Sequence, residues 1–215
     1  PDHCYPKTIF FDKGTTADVI RATLQDNRYR YPLIGKPDIG MKGHAVKKLE
    51  NEAALLAYAT GSKVPFLVQE FVSYPLEAGI FYYRYPGEKK GHISGIVSKE
   101  FLSVTGDGHS TILDLLQKDK RYILQLPVLR KTYGDQLKNI LPREETLVLV
   151  PYGNHVRGAR FVDITHLADE KLVHTIDNLC RDIPGFYFGR LDIRYRSWED
   201  LKQGRHFSVI ELNGA

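Results

Sequence analysis

The sequence predicts an α+β fold, because segments with strand and helix patterns alternate along its 215 residues. Dividing that length by a typical domain size of about 150 residues gives one large domain or two small, tightly coupled ones. The composition, with 42% apolar and 26% charged residues, is that of an ordinary globular chain. It excludes a disordered or collagen-like protein.

The first third of the chain predicts two helices and two strands. Thr15 and Asp18 form a capping pair that predicts the first helix. Pro37 ends the strand that follows it. The predicted elements of this part are, in order, a helix over 15–26, a strand over 31–36, a glycine-bearing loop over 38–44, a helix over 47–59 and a strand over 66–71.

The rest of the chain predicts a mostly antiparallel sheet with three helices. Thr111 and Asp114 form a second capping pair, and Ser197 with Asp200 forms a third. The predicted strands cover 79–85, 92–104, 146–151, 157–163, 187–195 and 207–212. The predicted helices begin at 111, cover 169–181, and follow residue 197 as far as 204.

The charge distribution argues against nucleic-acid binding. The 30 basic and 26 acidic residues give a net charge of +4, which suits an anionic ligand but is too small for a polyanion-binding surface. Arginine and tyrosine alternate at 28–31, 82–85 and 194–196. We interpret these segments as strands with rings on one face and cations on the other, rather than as a base-stacking surface.

Apolar patterning and cysteine content exclude further classes. No stretch approaches the roughly 18 consecutive apolar residues of a membrane span. Cys4 and Cys180 have neither the spacing of a zinc site nor that of a disulfide framework, which fits a reducing cytoplasm. The sequence opens at Pro1 without Met or a leader, so we expect a processed chain or a piece of a longer protein.

Two strands near the end of the chain carry acidic residues at alternate positions. In the first, Arg190, Asp192 and Arg194 share one face, and in the second, Glu211 and Asn213 do. Leu191, Ile193, Ile210 and Leu212 are expected on the opposite faces, and Val209 on the face of Glu211. If the strands pair, their oxygen atoms form a set that suits Mg²⁺ or Mn²⁺ rather than zinc.

Two interpretations of these strands remain open. Asp192 and Glu211 either hold a metal or pair with Arg190 and Arg194 in a surface ladder of ion pairs. Lys36 favours the metal interpretation, because it precedes a loop with Gly40 and Gly43. A cation and free backbone N–H groups at such a loop bind phosphate.

Together these motifs resemble the ATP-grasp superfamily, and within it carboxylate–amine ligases such as D-alanine–D-alanine ligase and the ATP-grasp region of cyanophycin synthetase. The resemblance covers residues 31–215. Residues 189–193 and 210–214 resemble the metal-site pair G-R-x-D-[VI] and [LIV]-E-x-N. Residues 34–37 resemble the phosphate-lysine strand, 68–72 the adenine hinge and 105–112 the G-D-G-x-x-T-I turn.

The resemblance implies two α+β subdomains, 1–74 and 75–215, with nucleotide between them. It also implies a role for each matching residue. Lys36 and Lys99 contact phosphates, under a loop that includes Gly40 and Gly43. Adenine binds along Glu70, Phe71, Val72 and Ser73. Asp192, Glu211 and Asn213 hold Mg²⁺ or Mn²⁺ between the phosphates of ATP, and Arg190 stabilises the transferring phosphoryl group.

Five positions depart from the family pattern or admit a second interpretation. Glu77 is either a ribose ligand or an exposed carboxylate at a strand edge. Arg157 is a candidate ligand for substrate or phosphate, and His155 is interpreted as a loop histidine rather than a catalyst. His44 replaces a small residue of the family's loop, and Phe71 replaces a hinge lysine.

The activity implied is that of an ATP- and Mg²⁺-dependent ligase that joins a small carboxylate to an amine through an acylphosphate. Neither a nucleic acid nor a membrane is an expected partner. One alternative is an ATP-grasp module that binds nucleotide or phosphorylates without ligating. A remote alternative, an NAD-dependent oxidoreductase, would use residues 106–111 as a dinucleotide turn.

Overall fold

The computed structural model describes residues 4–39, 45–151, 153 and 157–214. Its strands are β1 (Thr8–Phe11), β2 (Leu33–Pro37), β3 (Lys47–Leu49), β4 (Phe66–Glu70), β5 (Leu76–Tyr83), β6 (His92–Glu100), β7 (Leu102–Thr105), β8 (Thr146–Val150), β9 (Arg160–Asp163), β10 (Phe188–Tyr195) and β11 (Phe207–Gly214). Its α-helices are α1 (Ala17–Asp26), α2 (Glu52–Gly61), α3 (Ile112–Lys118), α4 (Lys120–Ile123), α5 (Leu126–Tyr133), α6 (Glu170–Arg181) and α7 (Trp198–Lys202).

The strands form three antiparallel sheets. The first has the order β1-β4-β2-β3, the second β11-β10-β5-β6-β9, and the third pairs β7 with β8. Each sheet covers its own apolar cluster. The first packs on α1 and α2, the second on α6 and α7, and the third on α3 and α5. The predicted division near residue 74 falls between the first and second sheets and stays a prediction.

Several helix starts were predicted correctly from capping residues. Thr111 and Asp114 form a reciprocal capping box at α3. Ser197 caps α7 by accepting a backbone N–H of the first turn. The start of α6 was predicted from its apolar spacing, and Asp169 caps it in the same way. The cap of the first helix is Thr16, one residue after the predicted Thr15, because the side chain of Thr16 accepts the N–H of Val19.

Two predicted elements were wrong in extent. Residues 47–49 were predicted as the start of a helix, but they form β3 and pair with residues 33–35 of β2. Asn51 then caps α2, so the helix covers only the second part of the predicted range. The long strand predicted over 92–104 divides at Phe101, because β6 pairs with β5 and β9 whereas β7 pairs with β8.

The turn at residues 106–111 does not have the geometry of a dinucleotide-binding loop. It leads from a strand of an antiparallel pair into α3. Asp107 accepts the backbone N–H groups of His109 and Ser110, so these donors already have a partner within the chain. Hydrogen bonds from the backbone and side chain of Ser110 hold the pKa of Asp107 well below its usual range. The oxidoreductase interpretation therefore loses its structural basis.

Along the residues described, none of the helices has the length and apolarity needed to cross a membrane.

A buried tyrosine gives the second sheet a predictable response to alkaline pH. The hydroxyl of Tyr82 donates to Asp177 Oδ1 at 2.8 Å, and the N–H of Gly91 donates to the same oxygen at 2.9 Å. Burial, together with the hydrogen bond to Asp177, raises the pKa of Tyr82 to about 12. The folded protein therefore holds this proton more tightly than the unfolded chain does, where the tyrosine pKa is about 10.

We expect the stability contributed by Tyr82 to be complete below about pH 10 and to be lost as the pH rises towards 12. The measurement is the free energy of unfolding in urea for the wild type and for Tyr82→Phe at a series of pH values. The difference between the two proteins should shrink across that interval. Cys180, whose pKa burial also raises to about 12, titrates in both proteins and cancels. A difference that stays constant would contradict this assignment.

Candidate functional site

Four charged side chains meet on one face of the second sheet, and all four are buried. They are Glu77 on β5, Lys99 on β6, and Asp192 and Arg194 on β10, each no more than 7% exposed. The strand registers bring them together, since Glu77 lies opposite Arg194 and Ala78 lies opposite residue 98 of β6. We call Glu77, Lys99, Asp192 and Arg194 the buried charge cluster. Its two carboxylates and two cations balance, as buried charges require.

Lys99 lies at the centre of the buried charge cluster. Its Nζ is 2.9 Å from Glu77 Oε1 and 2.9 Å from Asp192 Oδ2. Arg194 Nε donates to the other oxygen of Glu77 at 3.2 Å. These contacts therefore connect Arg194 to Asp192 through Glu77 and Lys99.

Arg190 covers the open side of Asp192. Its Nη2 donates to Asp192 Oδ2 at 3.0 Å, and its Nε lies 2.9 Å from Oδ1. The second contact lacks hydrogen-bond geometry, so Asp192 Oδ1 is buried without a hydrogen-bond partner. The surface-ladder interpretation was correct in pairing Asp192 with Arg190 but wrong in placing Asp192 at the surface, because it is 2% exposed and contacts Lys99 as well.

β11 adds the two other predicted metal ligands. Glu211 lies opposite Asp192, and Asn213 lies opposite Arg190. Both are exposed, so their oxygen atoms are accessible at the edge of the sheet. The predicted placement of Val209 on the same face was wrong. Val209 pairs with Ile193 in the core, and Glu211 pairs with Asp192, so the strand has a bulge between the two pairs. The extra residue moves the positions after Val209 to the opposite face.

These residues fit a divalent cation. Among the described residues, no three His, Cys, Asp or Glu side chains form a metal-binding group; the predicted set has two carboxylates and one amide. Oxygen donors of this kind suit Mg²⁺ or Mn²⁺. The unsatisfied oxygen of Asp192, directly across the strand pair from exposed Glu211, supplies the structural support. Arg190, with a side chain 36% exposed, has room to move aside.

Lys36 reaches this region from the first sheet. Its Nζ lies 3.3 Å from the carbonyl oxygen of Ile210 and 3.4 Å from Gln69 Oε1. Ile210 is the extra residue of the bulge, where the ladder is interrupted. Burial lowers the pKa of Lys36, and the negative charge of Glu211 opposes that effect. A partly desolvated lysine therefore lies near the predicted metal ligands. Gly40, Gly43 and His44 of the adjoining loop lie outside the described residues.

The predicted adenine hinge follows the end of β4. Phe71 and Val72 are half-buried and Ser73 is exposed. The ammonium of Lys48 lies 4.7 Å from the centre of the Phe71 ring. Glu70 Oε2 accepts the backbone N–H of Lys7 at 3.2 Å. The hinge residues therefore lie at the end of an internal strand of the first sheet.

A cavity of about 430 Å³ adjoins the first two hinge residues. Its lining residues are Arg28, Arg30, Tyr31, Pro32, Glu70 and Phe71. Sequence reasoning did not place the two arginines there, because the alternation at 28–31 was interpreted as a strand. The structure places 28–32 between α1 and β2, with Arg28 at a φ of 56°. The arginine and tyrosine alternation was the available signal.

The remaining predicted residues have structural partners. Arg157 Nη2 donates to the carbonyl oxygen of Val46 at 3.2 Å, shortly after residues 40–44, which lie outside the described residues. His155 lies outside the described residues. The interpretation of Glu77 as an exposed edge carboxylate was wrong, because it is 4% exposed. Its ribose contact stays a prediction and requires one of its two ion pairs to open.

Gly153 was not predicted, although it covers the buried charge cluster. A Cβ atom at this position would lie 2.6 Å from Glu77 Cδ and 2.6 Å from Lys99 Cδ. The backbone thus lies directly against the ion pair, and only glycine fits. We expect Gly153→Ala to destabilise the protein by about 1–3 kcal/mol through overpacking.

The measurement for Gly153→Ala is the free energy of unfolding in urea. Gly61→Ala is the matched control, since a Cβ atom there meets nothing within 4 Å and the position ends α2. The control should be neutral or slightly stabilising. Equal effects of the two substitutions would show that Gly153 has more room than this geometry gives it.

No family model and no curated protein matches the sequence, but solved structures are similar. D-Ala:D-Ser ligase VanG from Enterococcus faecalis is 14% identical, with a TM-score of 0.50 over 98% of this chain and 47% of that one. A bifunctional glutathione synthetase from Pasteurella multocida is 14% identical, with a TM-score of 0.47 over 97% of this chain and 30% of that one. The ATP-grasp ligase PsnB, complexed with minimal precursor, is 11% identical, with a TM-score of 0.45 over 97% and 46%.

The chain thus spans less than half the length of these three proteins. Identity this low relates the chains by fold. The sheets and helices described above, with the similarity to the Enterococcus faecalis ligase, agree with the predicted architecture. The chain therefore has the α+β ATP-grasp fold that the sequence predicts.

Proposed function

We propose that this chain is the ATP-grasp unit of an ADP-forming ligase that joins a small carboxylate to an amine and uses ATP and Mg²⁺. One observation carries the proposal. Two lysines from different sheets, Lys36 and Lys99, lie beside the same pair of β10 and β11 positions, Asp192 and Glu211. Cations and oxygen ligands in this combination suit a triphosphate with its metal.

Phosphoryl transfer needs charge and position more than it needs a general base. Asp192, Glu211 and Asn213 would hold the metal, which when bound neutralises phosphate charge. Lys36 and Lys99 would hold phosphate oxygens. Their partial or complete burial strengthens these contacts, because water screens them little.

Arg190 is the residue proposed to act on the reacting group. Arg190 forms an ion pair with Asp192, and its side chain is 36% exposed. It lies opposite Asn213 on β11. In the proposed reaction, a carboxylate oxygen of the substrate attacks the γ-phosphorus, and ADP leaves with the electron pair of the broken bond. The amine then attacks the acyl carbon of the acylphosphate, and phosphate leaves. The guanidinium of Arg190 would stabilise the charge on the transferring group.

The remaining site residues would act at the two ends of the nucleotide. Glu70 and the backbone of Phe71, Val72 and Ser73 would bind adenine, and Glu77 is the proposed ribose ligand. Gly40 and Gly43 would cover the outer phosphates. Arg157 would contact substrate or phosphate near the same loop.

The test begins with the thermal unfolding temperature of the protein with Mg²⁺ and AMP-PNP, or with NAD. Mg²⁺ with AMP-PNP is expected to raise the unfolding temperature, whereas NAD is expected to leave it unchanged. ADP release is then measured with pools of amino acids and small carboxylates, and products are weighed by mass spectrometry. A condensed product that requires both carboxylate and amine supports the proposal. A phosphorylated product would mean that the protein is a kinase rather than a ligase. Nucleotide binding without turnover would mean that it is a nucleotide-binding module.

A further inference from the structure

Arg194 is the one member of the buried charge cluster to which the proposed mechanism gives no role. Its side chain is 8% exposed. Nε donates to Glu77 Oε2, Nη1 donates to the carbonyl oxygen of Tyr74 at 2.9 Å, and Nη2 donates to the carbonyl oxygen of Pro151. The centre of the guanidinium lies 4.5 Å from the centre of the Phe101 ring. One side chain thus connects four separate segments of the chain.

This arrangement fixes the guanidinium on all sides. Its three nitrogens donate to acceptors on two segments, residues 74–77 and Pro151, and the planar group lies against an aromatic ring, so its orientation is set by its surroundings. Such a buried ion pair contributes little to stability compared with apolar residues of the same volume. The side chain therefore calls for an explanation beyond packing.

The partner of Arg194 supplies that explanation. Glu77 has two oxygens, of which one accepts from Arg194 and the other contacts Lys99. Without Arg194, the full charge of Glu77 would face Lys99 alone and draw its ammonium away from Asp192. With Arg194, Lys99 lies 2.9 Å from each carboxylate.

We propose that Arg194 is a positioning residue that acts through Glu77 to hold the Lys99 ammonium beside Asp192, at the phosphate end of the site. This proposal rests on the proposed nucleotide site. Before nucleotide binds, one oxygen of Glu77 accepts from Arg194 and the other contacts Lys99.

The test compares two probes, Mg²⁺ with AMP-PNP and free adenine, by titration calorimetry of the wild type, Arg194→Met and Arg194→Lys. Methionine keeps the apolar part of the side chain and removes the guanidinium. The dissociation constant for AMP-PNP should rise about tenfold in Arg194→Met, and that for adenine, which lacks the ribose assigned to Glu77, should stay close to the wild-type value. Arg194→Lys should restore part of the loss. A merely structural role would weaken both probes together, which would overturn the proposal.

A double-mutant cycle tests the route through Glu77. In a Glu77→Gln background, Arg194→Met should have little further effect on AMP-PNP binding, because the charge that Arg194 balances is gone. If Arg194→Met alone fails to fold, the double variant is compared with Glu77→Gln alone, and a large further loss of AMP-PNP binding would overturn the proposal. Equal effects of Arg194→Met in both backgrounds would overturn the proposal.

The control is Arg196→Met on the same strand end. Arg196 pairs with Asp200 at 2.7 Å, outside the cluster, and its loss should leave both dissociation constants unchanged. A wild-type protein that fails to bind AMP-PNP overturns the nucleotide site and this proposal together. A wild type that binds it, with an Arg194→Met variant that binds it equally well, overturns the role of Arg194 alone.

Discussion

Asp192→Asn is expected to lower carboxylate-stimulated ADP release by about a thousandfold. Asparagine keeps the size of the side chain and one oxygen ligand but removes the charge. That charge is shared by Lys99 and Arg190 and lies opposite Glu211. Its loss leaves the proposed metal with a single carboxylate and leaves Lys99 with Glu77 as its remaining anion.

Asparagine is a better test than alanine, because Asp192 is 2% exposed. Removing one partner of a buried ion pair costs about 3–5 kcal/mol, so an alanine variant would confuse lost activity with lost fold. The measurements are steady-state ADP release and the thermal unfolding temperature. Asp177→Asn is the matched control, since Asp177 is a buried aspartate that binds Tyr82 and Gly91 instead. The control should lose stability and keep turnover. Full turnover in Asp192→Asn would remove Asp192 from the site.

The face of β10 could be predicted from the sequence because its alternation is regular. Arg190, Asp192 and Arg194 do share one face, while Leu191 and Ile193 are buried in the core. On β11 the same reasoning was correct for Glu211 and Asn213 but wrong for Val209, since one extra residue shifts the register and nothing in the pattern of residues 207–213 indicates it.

Local pattern also misled at β3. Residues 47–49 continue the helical spacing of the segment after them, but they pair with β2. The gain from adding a strand to the first sheet there outweighs local helix preference. The strand conformation of residues 47–49 depends on pairing with β2, so it cannot be predicted from the pattern of this segment alone.

The ion pairs of the site were the least predictable feature. Glu77 and Lys99 were each selected by resemblance, but no pattern links residues that are 22 positions apart, or links Glu77 to Arg194 117 positions away. Their contact follows from the order of β5, β6 and β10 in the sheet. The shared face of Arg190, Asp192 and Arg194 was the signal that Arg194 belongs to the site.

Lys99→Met is expected to weaken binding of AMP-PNP with Mg²⁺ about a hundredfold while changing the free energy of unfolding by only about 1–2 kcal/mol. The small effect on stability follows from the arrangement of the charges. Each carboxylate that loses Lys99 keeps another cation, since Glu77 retains Arg194 and Asp192 retains Arg190. Methionine fills most of the volume of the lysine stem.

The measurements are titration calorimetry and urea unfolding. Lys202→Met is the matched control, because Lys202 also lies between two carboxylates, at 3.1 Å from Asp169 and 2.7 Å from Glu199, and it is 16% exposed. The control should keep nucleotide binding. If Lys99→Met bound AMP-PNP as the wild type does, Lys99 would be a structural counter-ion of Glu77 and Asp192. Loss of AMP-PNP binding with a stable fold would instead mean that Lys99 serves to bind the phosphates. Glu77 and Asp192 do not need Lys99 for neutralisation, because each keeps an arginine as a partner.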